Sequence, residues 1–223
     1  MGDAIGQMLA SAVGIAISPV PLIAVILMLA TPRGRTNGVA FTAGWVAGLG
    51  LLTTVVVLVG SGLDGSGPKP TWSWWVKLAV GLLFLLIGAR QWRSRPRQGH
   101  VTAPPRWMEA LDRFTPAKSA GLAVALVVAN PKNLVLAIGG GVSIATSSAA
   151  TGGKVVATVL MVLVGSLCTA VPLGVYLFGG TRSATVLGGW KAWMSTHNSA
   201  IMTVLLVVLG AKYVGDAISG LTT

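Results

Sequence analysis

Asn130, Pro131, Lys132 and Asn133 interrupt an apolar run, VVANPKNLVLAIGGG, that extends from Val127 to Gly141. A proline inside a helix lacks an N–H and crowds the preceding turn, so the helix must kink or open there. In a bilayer the freed carbonyls must find side chains, water or a ligand inside the protein. Asn130 and Asn133 are short polar groups suited to that task, and Lys132 adds a cation. Counted from Lys118 at about 1.5 Å per residue, Lys132 lies roughly 20 Å into an apolar core of about 30 Å. A lysine at that depth costs about 2.5 kcal/mol or more, so it either faces a cavity or an anionic partner, or snorkels outward along its stem.

A second interruption, Ser18-Pro19-Val20-Pro21 within AISPVPLIAVI, has the same chemistry without the charge. Ser18, Pro19, Pro21, Asn130, Pro131, Lys132 and Asn133 therefore form the candidate substrate-binding set. Acidic side chains lie elsewhere: Asp3, Asp64 and Asp216 at one membrane edge, Glu109 and Asp112 in a connector at the other. Lys132 is thus expected to be an unpaired cation, a counter-charge for phosphate, sulfate or carboxylate. The same distribution offers no buried carboxylate for a proton relay.

Catalytic chemistry is not expected. His100 and His197 are isolated and make no metal site. The single Cys168 allows no intramolecular disulfide and reads as a small apolar filler. No paired carboxylates or nucleophile–base grouping is recognisable. GGGVS, residues 139–143, lacks the strand and the Gly-Lys-Ser/Thr ending of a phosphate loop and reads instead as a helix break at the outer end. The expectation is a protein that is not an enzyme, with no metal and no cofactor.

The elements that must position these residues follow from composition. The chain is 53% hydrophobic and 9% charged, with mean hydropathy +0.79, whereas a soluble domain carries roughly a quarter charged residues. Six apolar segments predict membrane spans near Ala4–Ala30, Asn37–Gly60, Trp74–Gln91, Ser119–Ser143, Gly153–Phe178 and Asn198–Ile218. In MGDAIGQMLA only Asp3 is charged, unlike the basic start of a signal peptide, so the first segment reads as a retained helix. Gly44, Gly48 and Gly50 in the second span read as close-packing positions.

Trp72, Trp74 and Trp75 mark one membrane edge, and Trp92, Trp107, Trp190 and Trp193 the other. Arg33 and Arg35 fall in the first connector, Arg93, Arg95, Arg97, Arg106, Arg113 and Lys118 in the third, Arg182 and Lys191 in the fifth. Connectors two and four carry only Lys69 and Lys154. The positive-inside rule then predicts a multi-pass protein of the cytoplasmic membrane with odd connectors in the cytoplasm and both termini outside. That asymmetry accounts for the net charge of +11 without nucleic acid as a partner.

Within the third connector, PPRWMEALDRFTPAK places Trp107, Met108, Leu111 and Phe114 at helical spacing among charged residues. This pattern predicts a short amphipathic helix on the cytoplasmic surface, serving as a gate or partner dock, or simply as a linker that covers its apolar side chains.

The two halves of the chain are alike. LLIGARQW (85–92) and VVLGAKYV (207–214) close the third and sixth spans, Gly38 and Gly50 have the spacing of Gly153 and Gly165, and Pro19 falls opposite Pro131. The offsets are 122, 115 and 112 residues, in the same order along the chain. A unit of three spans, duplicated, must insert the second time the other way up. The expected fold is an all-α integral membrane protein of six transmembrane helices in two inverted three-helix repeats, with helices one and four broken at proline. It is a single membrane domain over 1–223, with repeats at 1–91 and 119–223 and a cytoplasmic linker at 92–118. In such architectures a matched pair of broken helices points to the substrate site.

These features resemble the lysine-exporter (LysE) superfamily of six-helix transporters. RWMEALDRFTPAKSAGLAVALVVANPKNLVLAI, residues 106–138, is more narrowly similar to the GAP family of peptidoglycolipid- or sulfolipid-addressing proteins. The resemblance implies a cytoplasmic-membrane protein that helps move glycolipids or their precursors towards the outer envelope. Pro19, Pro21, Asn130, Pro131 and Lys132 match the superfamily's motif prolines and Asn-Pro-Lys. The long basic third connector and the lack of membrane acids depart from amino-acid exporters. The resulting expectation is transport of an envelope lipid or glycolipid with an anionic head group. The alternatives are small-solute export and a non-transporting scaffold for a lipid export or synthesis complex. Expected partners are the lipid substrate, the bilayer, a lipid-exporter protein docked through 92–118, and a second copy of the chain.

Overall fold

The computed structural model describes residues 2–62, 71–93 and 114–222. Among them the regular structure is helical and no strand occurs. The helices are α1 (Gly2–Ala16), α2 (Pro19–Leu29), α3 (Gly34–Gly62), α4 (Thr71–Arg93), α5 (Pro116–Ala129), α6 (Pro131–Ala145), α7 (Thr151–Gly165), α8 (Leu167–Phe178) and α9 (Ser183–Thr222). Within α3 and α9, Gly34–Ser61 and the stretch ending at Thr222 are long and apolar enough to cross a bilayer. Three bent pairs reach that length when each is taken as one span: α1–α2 at 46°, α5–α6 at 72° and α7–α8 at 55°. The amphipathic helix expected around 104–113 lies outside the described residues.

Each bend has a local cause. Pro19 and Pro21 lack the N–H groups that would reach the carbonyls of Ile15 and Ile17, and the Ser18 N–H turns to Ile15 instead, at 3.0 Å. Pro131 likewise offers nothing to Val127. Asn130 ends α5 and caps α6, its side chain accepting from the Lys132 N–H at 3.2 Å. The third bend was not expected, since the sequence reads as one helix from Gly153 to Phe178. Gly165 is the reason. Its carbonyl accepts from Trp45 Nε1 at 3.3 Å and from Cys168 Sγ at 3.4 Å, while the Thr169 N–H bonds Ser166 at 3.0 Å. The carbonyl has left the helical ladder for a tryptophan on another helix, and the chain turns there.

The chain divides into two compact units, one of Met1–Leu63 with Ala103–Ser195, the other of Asp64–Thr102 with Thr196–Thr223. In the first unit α3 packs against α5, α6 and α7, α1 against α6 and α7, and α2 against α8. A stripe of Asn37, Phe41, Trp45, Leu49, Thr53 and Val57 buries one face of α3 at four-residue spacing. Leu51, Leu58, Val155, Leu163 and Phe178 stay exposed. Such an apolar exterior suits lipid rather than water.

Small residues set the register. A Cβ on Gly44 would lie 2.7 Å from Ala120 Cα, one on Gly48 3.3 Å from Val124 Cα, and one on Gly141 2.7 Å from Val56. These pairs run α3 parallel to α5 and α6. Gly140 meets Met161 and Ser11, and Gly165 meets Leu49 and Ile15. Together with the Trp45–Gly165 bond, they run α1 antiparallel to α6 and α3 antiparallel to α7.

Two expectations about glycine are corrected. GGGVS does not break the helix; α6 runs through it to Ala145, because Gly140 and Gly141 are contact points for neighbouring helices. Gly50 is not a close-packing position, since an added Cβ would meet Val162 only at 3.9 Å, whereas Gly44 and Gly48 are.

The second unit is an antiparallel pair of α4 and the last part of α9. Gly81 and Gly210 face one another, a Cβ on either lying 3.0 Å from the other's carbonyl oxygen, and Gly88 meets Leu206. Phe84 and Tyr213 add a tilted ring contact at 6.1 Å, and Gln91 Nε2 donates to Ser199 Oγ at 3.4 Å. Lys212 pairs with Asp216 at 2.7 Å, one helical turn apart.

Candidate polar centre at the helix breaks

The helix register carries the site with it. Ser11 lies against Gly140 on antiparallel helices, so stepping seven residues along each brings Ser18 level with Asn133. Ile15 and Leu49 meet Gly165, which brings the third break to the same level. Three helix breaks, at Ser18, Asn130 and Ser166, thus converge on one layer of the first unit.

That layer is rich in buried polar atoms. Lys132 is 4% exposed and its Nζ has no hydrogen-bond partner among the described residues. Asn133 is 1% exposed, with both side-chain polar atoms unpartnered. Ser18 Oγ and Ser166 Oγ are buried without partners as well. Thr53 Oγ1, also unpartnered, lies further along α3, beside Gly141. A buried polar group left unpaired costs about 1–3 kcal/mol, and protein interiors leave few of them. Lys132, Asn133, Ser18 and Ser166, with unused hydrogen-bonding capacity, form a cation, amide and hydroxyl set suited to an anionic or polyhydroxylated group.

The sequence-derived candidates divide by role. Lys132, Asn133 and Ser18 contribute free polar atoms to this layer. Asn130 spends its side chain on the α6 cap, and Pro131 is exposed. Pro19 and Pro21 are buried at the start of α2. Lys132 belongs to the buried stripe of α6 with Leu136, Gly140 and Ser143, so its side chain does not extend outward to the surface. Sequence reasoning missed Ser166 and Thr53. The signal for Thr53 was present: it continues the four-residue stripe of Phe41, Trp45 and Leu49. For Ser166 there was none, because the break beside it depends on Trp45 from another helix.

Cavities open at the two ends of this unit. One, of about 560 Å³, is lined by Thr54, Ser61, Ala150, Lys154 and Thr158, among others. Lys154 Nζ donates there to Ser61 Oγ at 3.4 Å and to the Ala145 carbonyl, joining α3, α6 and α7. At the other end, cavities of about 480 and 200 Å³ share Tyr176 and Ser183. Lys132 lines none of these three. Connectors sort in the same way. Asn37 Nδ2 donates to Phe114 O at 3.0 Å, and Arg35 lines a cavity with Gly180, so connectors one, three and five meet at one end. Lys154 and Ser61 bring connectors two and four together at the other.

No curated protein and no solved structure matches the chain. The sequence profile of the SfLAP family, described as Sap, sulfolipid-1-addressing protein, matches residues 8–219. With that match spanning nearly the whole chain, and an all-helical body carrying bilayer-length apolar helices, the protein belongs to the sulfolipid-1-addressing (SfLAP) family.

Proposed function

We propose that this protein translocates an envelope lipid with an anionic head group across the cytoplasmic membrane, holding that group at the layer of helix breaks. The observation that carries the reading is Lys132, a buried ammonium without a partner on the same layer as Asn133 and Ser18. Its family supplies the lipid: the family description names sulfolipid addressing. Lys132 would bind the anion, Asn133 and Ser18 would bond its oxygens, and Pro19, Pro21, Asn130 and Pro131 would keep the helices open around it.

The architecture in this reading is six spans in two inverted repeats, α1–α2, α3 and α4 against α5–α6, α7–α8 and the last part of α9, as in the lysine-exporter superfamily. Its support is that counterpart spans run antiparallel: α1 of the first broken span with α6 of the second, and α3 with α7, in the first unit, and α4 with α9 in the second. The odd connectors, with their arginines, would face the cytoplasm and both termini would lie outside. Sorting of connectors to opposite ends of the first unit supports this.

The test is lipid analysis of outer-envelope extracts from cells carrying Lys132→Ala. The expected result is a folded, membrane-inserted protein with loss of the exported lipid, and normal outer lipid in that strain refutes the assignment. Small-solute export would instead show as efflux from loaded vesicles that is indifferent to glycolipid supply. A scaffold that docks an exporter through 92–118 would show no translocation when purified alone in liposomes.

A further inference from the structure

The paired cavities at the odd-connector end differ in character. The first is lined by Arg35, Tyr176, Phe178, Gly180 and Ser183. The second shares Tyr176 and Ser183 and is lined otherwise by Ile26, Leu27, Leu29, Ala30 and Leu187, with Lys191 as its charged residue. A cationic compartment and an apolar one between α2, α8 and the start of α9 therefore adjoin at Tyr176 and Ser183. The larger lies within the range of small-ligand sites, about 300–1,000 Å³. Arg35 is exposed and has no acidic partner among the described residues. Phe178 is 88% exposed at the rim, and Tyr176, common to both cavities, is the amphipathic kind of aromatic that settles at a membrane interface.

We infer that this double cavity is a lateral loading seat for a bilayer lipid, with an anionic head group at Arg35 and the start of an acyl chain between Ile26, Leu29 and Leu187. A soluble anion would use only the first compartment, and a neutral lipid would gain nothing from Arg35 or Lys191. Only a molecule carrying both parts fills both compartments. The inference extends the proposed transport function by giving it a site distinct from the layer at Lys132, reached from the side of the protein.

The test uses the full chain in phosphatidylcholine nanodiscs doped with a lipid bearing a photoactivatable acyl chain. One arm carries phosphatidylglycerol and the other phosphatidylcholine, and labelled peptides are mapped by mass spectrometry. Phosphatidylglycerol is expected to label the segments 26–30 and 184–191 at least about fivefold more than phosphatidylcholine. The double variant Arg35→Gln/Lys191→Gln should bring its labelling down to the phosphatidylcholine level, and Arg35→Lys/Lys191→Arg should preserve it. Leu187→Trp, which fills the apolar half, should reduce labelling by both lipids. Equal labelling by the two head groups, or full labelling of the double glutamine variant, overturns the seat. Competition by inorganic phosphate against the labelled lipid also overturns it, in favour of a soluble-anion site. Lys132→Ala should leave the labelling unchanged, so failure of the seat and failure of the transport reading are separately visible.

Discussion

Ser18 and Asn130, in the two halves of the chain, hold nearly the same backbone: φ −82° and ψ 115° at one, φ −84° and ψ 108° at the other. Each stands immediately before a proline that opens a new helix. Proline disfavours helical geometry in the residue before it and pushes that residue to extended angles. The match therefore follows from the paired Ser-Pro and Asn-Pro steps. The side chains part company. Asn130 accepts from the Lys132 N–H at 3.2 Å, whereas Ser18 makes no cap bond.

That difference predicts unequal responses to alanine. Asn130→Ala removes a working cap and should destabilise by about 1 kcal/mol. Ser18→Ala removes only an unpartnered hydroxyl and should be neutral or slightly stabilising. Thermal unfolding of the two variants in detergent checks this, and equal losses would contradict the capping geometry.

Lys132→Met should raise the unfolding temperature while abolishing lipid delivery. The side chain stays similar in length and fits the same buried stripe, but an unpartnered ammonium is removed. A central membrane lysine costs about 2.5–3.5 kcal/mol on insertion scales, so even partial relief should be measurable. A lower melting point would mean that Lys132 stabilises the fold through a partner, and would argue against a charge held for substrate.

What the sequence disclosed was governed by locality. The breaks at Pro19 and Pro131 were legible because proline imposes its geometry on its own chain neighbours. That Lys132 would be surrounded by apolar side chains was legible from its chain neighbours, and it is 4% exposed. The break at Ser166 was hidden, since it arises when Trp45, 120 positions away, takes the Gly165 carbonyl. Pro172 sits inside α8 and would have suggested a bend one turn too late. Glycines showed the same limit. Gly44 and Gly50 share a helix and a composition, and only the facing helix tells the close contact from the loose one.

Those two glycines give a matched pair. A Cβ on Gly44 would lie 2.7 Å from the Ala120 Cα, a backbone atom that cannot rotate away. Gly44→Ala should cost about 1–3 kcal/mol as overpacking between α3 and α5. Gly50→Ala meets Val162 at 3.9 Å and should be neutral, or stabilising by up to about 1 kcal/mol through helix propensity. Melting points of the two variants, measured side by side, decide it.

Lys154 ties the end of α6 to α3 through Ala145 and Ser61. A cation at a helix C-terminus also opposes the helix dipole, a favourable term of about 0.3–1 kcal/mol when exposed. Lys154→Met should loosen this end. Amide exchange across 143–150 should quicken while exchange at 37–49 stays as in the parent protein. Unchanged exchange at both would show that the lysine contacts carry no restraint.

Orientation can be tested without reference to lipid. With Cys168 replaced by Ser, Ser148→Cys places a thiol on an exposed position between α6 and α7. Thr181→Cys places one on an exposed position between α8 and α9. A membrane-impermeant maleimide added to intact spheroplasts should label Ser148→Cys and spare Thr181→Cys, and lysis should make both reactive. Arg33, Arg35, Arg182 and Lys191 belong to the connectors at the Thr181 end while Lys154 is the base near Ser148, and basic connectors are retained in the cytoplasm. The reversed pattern would place both termini inside and turn the Arg35 seat to the outer surface. A lipid loaded there would come from the outer leaflet, and export in the proposed direction would be refuted along with the orientation.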